Sequence, residues 1–164
     1  MNQMNPEMIL AIAAFILLLV TVAKGVRQVP QGFKWVVQRL GKYNSTLNPG
    51  LNFIIPYIDV VEFKVTTKDI VLDIPSQEVI TKDNAVLITN AVAYINIVSP
   101  EKAVYGVEDY VIAIQTLVQT SLRSILGEMT LDDALSSRDH IKTKLKAAIS
   151  DDISDWGITL KTVE

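Results

Sequence analysis

Cysteine is absent from the chain. That excludes disulfides, thiolate metal sites and cysteine nucleophiles, and it leaves the redox compartment open. Histidine occurs once, as His140. A lone imidazole without thiolate partners does not make a zinc site, and on the polar side of a capped helix it reads as solvated. The phosphate-loop pattern is missing, because Gly41-Lys42 has neither the earlier glycine nor the following Ser or Thr. No G-x-S-x-G elbow occurs. The acid pairs Asp132-Asp133 and Asp151-Asp152 are adjacent, and neighbouring side chains on a helix diverge by about 100°. They read as a cap and a solvated face rather than an acid–base pair. No catalytic, cofactor-binding or metal-binding residue is therefore assigned, and no cofactor is expected. Low-complexity tracts and internal repeats are lacking too.

Acidic residues are scarce at the beginning. None occurs between Glu7 and Asp59, whereas Lys24, Arg27, Lys34, Arg39 and Lys42 fall in that interval. The whole chain has a net charge of −3. Its single basic cluster lies beside an apolar run, which argues for a bilayer surface and against a nucleic-acid partner.

That run is what the chain has in abundance. Residues 8–23 read MILAIAAFILLLVTVA, with Thr21 the only polar side chain. As a helix they cover roughly 24 Å, short for a hydrocarbon core of about 30 Å, so they span with little tilt. A buried core helix would keep a polar stripe, which is missing. A cleaved signal peptide wants Lys or Arg ahead of its apolar core, and the first seven residues have neither. A membrane hairpin needs more residues and a central breaker. We expect a tail over 1–7 and a single spanning helix over 8–25, anchored by Ile9, Leu10, Phe15, Ile16, Leu17, Leu18, Leu19 and Val20. With all basic flanking residues on one side, the N-terminus is expected outside and the main domain in the cytoplasm.

After the anchor, residues 25–32 read as a connector broken by Pro30 and Gly32. The β-branched and aromatic stretch 34–40 predicts a strand, and 41–50 predicts a turn. Residues 51–63 are apolar but interrupted by Pro56, which confines a strand to an edge or splits it. Within them FIIPYI, residues 53–58, is greasy for a loop. Two readings stay open: a buried strand pair, favoured slightly, or a membrane-surface patch of Phe53, Ile54, Ile55 and Tyr57, with Trp35 beside it at head-group level. Strands follow over 64–75, 78–81 and 85–97, the last pair forming a hairpin about residues 82–84. Asn90 is expected to face solvent or a partner.

At Ser99 the pattern changes. Ser99 before Pro100 predicts a capped short helix stopped by Gly106. Asp109 predicts the cap of a second helix, with Val111, Ile114, Val118, Leu122 and Ile125 at helical spacing. Thr130 with Asp133 resembles a capping box, and Ser136 with Asp139 opens a last helix whose stripe is Ile141, Leu145, Ile149 and Ile153. Residues 158–163 return to strand, and the chain stops inside it, which suggests a longer protein. Arg123, next to Leu122 on an apolar helix, reads as an oligomer-contact candidate forming a salt bridge to a neighbouring element or subunit. The class is α+β: a strand-rich lobe over 26–98, then a helical lobe with a closing strand over 99–164.

The stretches GFKWVVQRLGKY (32–43), PGLNFIIPYID (49–59), TKDNA (81–85), QTSLRS (119–124) and WGI running to VE (156–164) occur in an order that resembles the SPFH, or Band 7, family of stomatin, prohibitin, flotillin and HflK/C. The nearest branch is the bacterial stomatin-like type represented by QmcA. Asn90 stands where that family often has Asp. The resemblance implies a non-enzymatic, membrane-anchored homo-oligomeric scaffold that marks out a membrane microdomain in the inner (plasma) membrane. It implies self-assembly into large particles through a coiled coil beyond residue 164. It also implies partners such as an FtsH-type membrane protease or an NfeD-type membrane protein. An HflK/C-like protease modulator facing the periplasm is the variant of this reading. An anchored hydrolase or adaptor is the alternative of another class, and it lacks the clustered nucleophile and base a hydrolase needs.

Overall fold

The computed structural model describes residues 5–164, so the first part of the expected tail lies outside it. The described residues form two compact units, one ending at Val65 and the other running from Thr66 to Glu164.

The first unit opens with helix α1, Pro6–Gly25. Pro6 suits the first turn, where its missing N–H leaves no bond unmade. Lys24 sits in the last turn, at the negative end of the helix dipole. The one polar side chain of the run is satisfied internally, since Thr21 Oγ1 donates to the Leu17 carbonyl at 2.8 Å. From Glu7 to Lys24 every side chain is exposed except the half-buried Thr21.

The presumed connector is a strand. β1, Val26–Val29, pairs antiparallel with β4, Gly50–Phe53, in a register of Val26 with Phe53 and Val29 with Gly50. With Val26 and Val29 three positions apart and Arg27 and Gln28 between them, the segment shows no period-two alternation, and only Val29 is buried. A second sheet has the order β3-β2-β5, from β2 Phe33–Arg39, β3 Lys42–Leu47 and β5 Asp59–Thr66. Most of the predicted turn over 41–50 is thus β3. The reversal is confined to Leu40-Gly41, both with positive φ (50° and 82°), as a tight hairpin of the primed type requires. Pro56 does split the apolar stretch, separating β4 from β5. The core of the unit is Val29, Val37, Leu47 and Ile54, with Phe33, Trp35 and Val61 packed on it.

In the second unit β6 (Ile70–Ile80), β7 (Val86–Ile97) and β8 (Ile158–Val163) form an antiparallel sheet with β7 in the centre. β6 is one strand where two were expected. Pro75 is accommodated at a bulge, where the β6–β7 register slips between Ile74 and Gln77. Carbonyls near the bulge are satisfied from α3 (Tyr110–Gly127): Gln115 Nε2 donates to the Asp73 carbonyl at 2.8 Å and Gln119 Nε2 to that of Pro75 at 3.4 Å.

Helix α2 is Pro100–Gly106, α4 is Leu131–Ser136 and α5 is Arg138–Asp155. α3 packs on β6 and α5 on both α3 and β8. The stripes Ile114, Val118 and Leu122 on one and Leu145, Ile149 and Ile153 on the other are buried, as are the alternate β7 residues Ala91, Ala93, Ile95 and Ile97. The long hairpin thereby belongs with the helices. The sequence boundary at 98/99 marks the change of element type, while the compact units divide at 65/66.

Two caps form as expected. Asp109 Oδ1 accepts from the amides of Val111 and Ile112 at 2.9 and 3.1 Å, and Thr130 Oγ1 accepts from that of Asp133 at 3.3 Å. Two do not. Ser99 precedes α2 without a side-chain cap bond, because its place is taken up by the turn after α5. There the Gly157 carbonyl accepts from the amides of Val98 and Ser99 at 2.9 and 3.0 Å. Gly157 has a φ of +67°, and a Cβ on it would stand 2.6 Å from Ser99 Cβ. Ser137, not Ser136, precedes α5, again without a cap bond, because α4 runs on through Ser136.

Candidate membrane-facing site

The helix joins the first unit through one close contact. The Ile54 amide donates to the Gly25 carbonyl at 2.8 Å. A Cβ at residue 25 would lie 2.6 Å from both the Ile54 carbonyl oxygen and the Phe53 ring, so only glycine lets the foot of α1 approach β4 this closely. All eight residues expected to anchor the chain, Ile9, Leu10, Phe15, Ile16, Leu17, Leu18, Leu19 and Val20, are exposed along α1.

Around this foot lies a group of exposed apolar and aromatic side chains. Phe53 is 60 % exposed and Tyr57 77 %, and Ile55 is exposed as well. Ile54 is not part of the group. It is 4 % exposed and belongs to the core, since it follows the β4 strand inward as its neighbours turn out. Its place among the membrane-surface candidates is therefore corrected, and the segment is both things the sequence left open: one core residue among surface ones. Trp35 is half-buried against the core, with Lys64 Nζ 4.7 Å from the centre of its ring. Lys24 Nζ stands 5.9 Å from the centre of the Tyr57 ring, which ties the helix end to the loop.

Two turns carry the most exposed members. Tyr57 follows Pro56 with a φ of 75°, a position where turns of this kind usually take glycine. Leu40, with φ 50°, is 81 % exposed, and its amide donates to the Ile58 carbonyl at 3.3 Å, so the two turns are neighbours. Left-handed backbone at a side-chain-bearing residue costs about 1–2 kcal/mol. Leu40 and exposed Leu51 were missed in the sequence. Leu40 had a signal, a bulky apolar residue directly before the glycine of a tight turn.

The loop between β4 and β5 is pinned from beneath. Arg39 forms a forked pair with buried Asp59, whose Oδ2 also accepts the Ile55 amide at 2.9 Å. Arg39 is thus not a free member of the basic flank. Its hydrogen bond, with a smaller contribution from the Ile55 amide, holds the Asp59 carboxyl below the usual aspartate range despite its burial.

Arg123 does not form the expected salt bridge within the chain. It is exposed on α3, and its Nη2 donates to Gln77 Oε1 at 2.9 Å, because the side chain facing it at the β6 bulge is an amide. Asn90 is exposed on β7. Among the described residues no cluster of three or more His, Cys, Asp or Glu could hold a metal ion.

An apolar helix, an α+β body and this order of motifs agree with one family model, that of the SPFH domain / Band 7 family, which matches residues 27–164. The chain belongs to the SPFH domain / Band 7 family. An uncharacterized protein of Methanothermobacter thermautotrophicus is 41 % identical over 157 residues, covering 96 % of this chain and 49 % of the relative. One of Methanocaldococcus jannaschii is 42 % identical over 149 residues, covering 91 % and 74 %. The human mitochondrial stomatin-like protein 2 is 40 % identical over 130 residues, covering 79 % of this chain and 36 % of the relative. The chain thus spans about half of the first relative and a little over a third of the last. As an SPFH protein with one apolar helix outside its core, it is a membrane-associated member of the family.

Proposed function

We propose that this SPFH protein is a single-pass, homo-oligomeric membrane scaffold rather than a catalyst, with its first unit resting on the head-group layer. The observation that carries the reading is the join at Gly25. An apolar helix with no buried face runs without a linker into a unit whose exposed Phe53 and Tyr57 surround the helix foot. Aromatic side chains at that level favour the interface, and Lys24, Arg27 and Lys42 favour anionic head groups.

The basic flank supports an inner-membrane placement with the body in the cytoplasm. The family resemblance supports lateral self-assembly, with an FtsH-type protease or an NfeD-type protein as the client class. Arg123, held by a neutral amide, keeps its charge for a carboxylate on a neighbouring subunit.

The test is made in membranes. A reporter active only outside the cytoplasm, fused after Glu164, is expected to stay silent, while in-membrane cross-linking gives ladders of the chain with itself. A strongly active reporter would reverse the orientation, and a full-length protein that stays monomeric at native density would remove the scaffold reading.

A further inference from the structure

Helix α5 carries its charges against its own dipole. Arg138, His140, Lys142, Lys144 and Lys146 fill its first half, where Asp139 is the one acid. Asp151, Asp152 and Asp155 fill its last turns, and no Lys or Arg follows Lys146 on the helix. Cations near a helix N-terminus and anions near its C-terminus are both unfavourable. Asp151 and Asp155 also stand four residues apart, a like-charge spacing that weakens a helix further. Part of this charge is used inside the unit, since Lys142 pairs with Glu164 and Lys146 Nζ donates to the Lys161 carbonyl. Lys144, Asp151 and Asp155 join none of the ion pairs among the described residues.

These three share a stripe with His140 and Ala147. At about 100° per residue the five fall within about 80° of arc, opposite the buried Leu145, Ile149 and Ile153, and all five are exposed. None of them lines the groove of about 410 Å³ bounded by α5 and β7, whose floor includes Leu145. The stripe is symmetric about a point between Ala147 and exposed Ala148. Lys144 precedes that point by as many residues as Asp151 follows it, and His140 by as many as Asp155. A second α5 laid antiparallel on the stripe therefore sets each Lys144 against an Asp151 and each His140 against an Asp155, twice over by symmetry. The two alanines at the centre let the helix axes approach closely. The stripe is complementary to itself, which selects a second copy of the chain as its partner.

We propose that α5 pairs antiparallel with α5 of a second copy, about a two-fold axis beside Ala147 and Ala148. Resting on the self-association reading, this pairing is one contact of that assembly. It uses one face of an 18-residue helix, so it is small, and it acts between chains already concentrated in a membrane. A two-fold contact closes on two copies, so assemblies beyond a dimer use another surface as well.

The test uses the whole 164-residue chain in membranes. The chain has no cysteine, so Ala147→Cys places one thiol on each copy. Oxidation with copper phenanthroline is expected to give a disulfide dimer, because residue 147 of each copy meets its counterpart at the axis. His140→Cys, whose counterpart lies roughly 22 Å away along the paired helices, is expected to give about a tenth as much or less. Added to Ala147→Cys, either Lys144→Glu or Asp151→Lys sets like charges together twice, and each is expected to cut the dimer yield about tenfold. Co-expressing those two variants is expected to restore it. The carboxylate at 144 of one chain then meets the amine at 151 of the other, while the second pair keeps its native residues. Self-association without a disulfide at 147 would overturn this pairing and leave the scaffold reading standing. So would yields that ignore both charge reversals, or that fail to recover in the mixed pair. A chain that gives no cross-linked species with any reagent, amine-reactive ones included, would overturn both.

Discussion

Arg39 holds Asp59 by two parallel hydrogen bonds, Nε to Oδ1 at 2.7 Å and Nη2 to Oδ2 at 3.0 Å. The pair ties the stability of the first unit to the ionisation of Asp59. The Asp59 carboxyl titrates lower in the folded chain than the ordinary aspartate value of 3.8, chiefly through the Arg39 hydrogen bond. A depressed folded pKa contributes stability that is fully present above the unfolded value and is lost as pH falls through the folded one. Unfolding of this unit, followed by Trp35 fluorescence in a Trp156→Phe background, should therefore be insensitive to Asp59 ionisation at neutral pH. It should become easier as pH drops below about 4. Asp59→Asn should lower stability at pH 7 and flatten that acid limb. An unchanged limb in the variant would assign the acid response to other carboxylates.

Gly25 is where the helix meets the body, and its replacement tests whether that contact is rigid. Gly25→Ala places a methyl 2.6 Å from the Ile54 carbonyl, a backbone atom that cannot swing aside. Overpacking of this sort costs about 1–3 kcal/mol. The Ile54 amide, bonded to the Gly25 carbonyl, should exchange faster in the variant, while the amides of β7 keep their rates. Equal Ile54 exchange in both proteins would mean that the helix foot is not held against β4.

Tyr57 separates function from stability. Its φ of 75° suits glycine, so Tyr57→Gly should relieve about 1 kcal/mol of backbone strain, offset in part by the greater freedom of glycine in the unfolded chain. The same change removes an exposed ring from the foot of the helix. A protein that folds at least as well yet binds anionic liposomes less tightly, compared in a chain lacking residues 1–24, would support the head-group role. Undiminished liposome binding would leave the exposed ring without one.

What could be read beforehand followed from period and punctuation. Helix α1 was legible because its apolar run is uninterrupted by proline or glycine. The stripes of α3 and α5 were legible from their helical period, as were the caps at Asp109 and Thr130. β1 and β3 were not, because their strand character comes from partners distant in sequence, β4 and β2, rather than from their own residues. Pro75 divided β6 on paper because a proline is tolerated there only through the bulge and the glutamines of α3. In the segment 53–58 two readings stood open, with the buried one slightly favoured, and the structure exposes Phe53, Ile55 and Tyr57 while it buries Ile54. Strand alternation predicts such a split once the register is known, and Pro56 obscured that register. Leu40 and Leu51 were overlooked because they lay at the end of a predicted strand and the start of an apolar stretch, where apolar residues read as core.

Leu145 tests the packing of the second unit and the openness of its groove together. It is fully buried at the centre of the α5 stripe, yet it also forms part of the groove floor. Truncating a buried leucine costs about 2–5 kcal/mol, the upper values arising where the void stays sealed. Here the void left by Leu145→Ala would join the groove and admit solvent or a neighbouring side chain. The expected loss is therefore about 2–3 kcal/mol, in the lower part of that range. Exposed Leu135, at the same groove, serves as the comparison, and Leu135→Ala should change stability by less than about 0.5 kcal/mol. Denaturant titration followed by Trp156, in a Trp35→Phe background, reads both. A loss near 5 kcal/mol for Leu145→Ala would show that the void is sealed and the groove closed at its floor. Equal small losses for the two variants would remove Leu145 from the core.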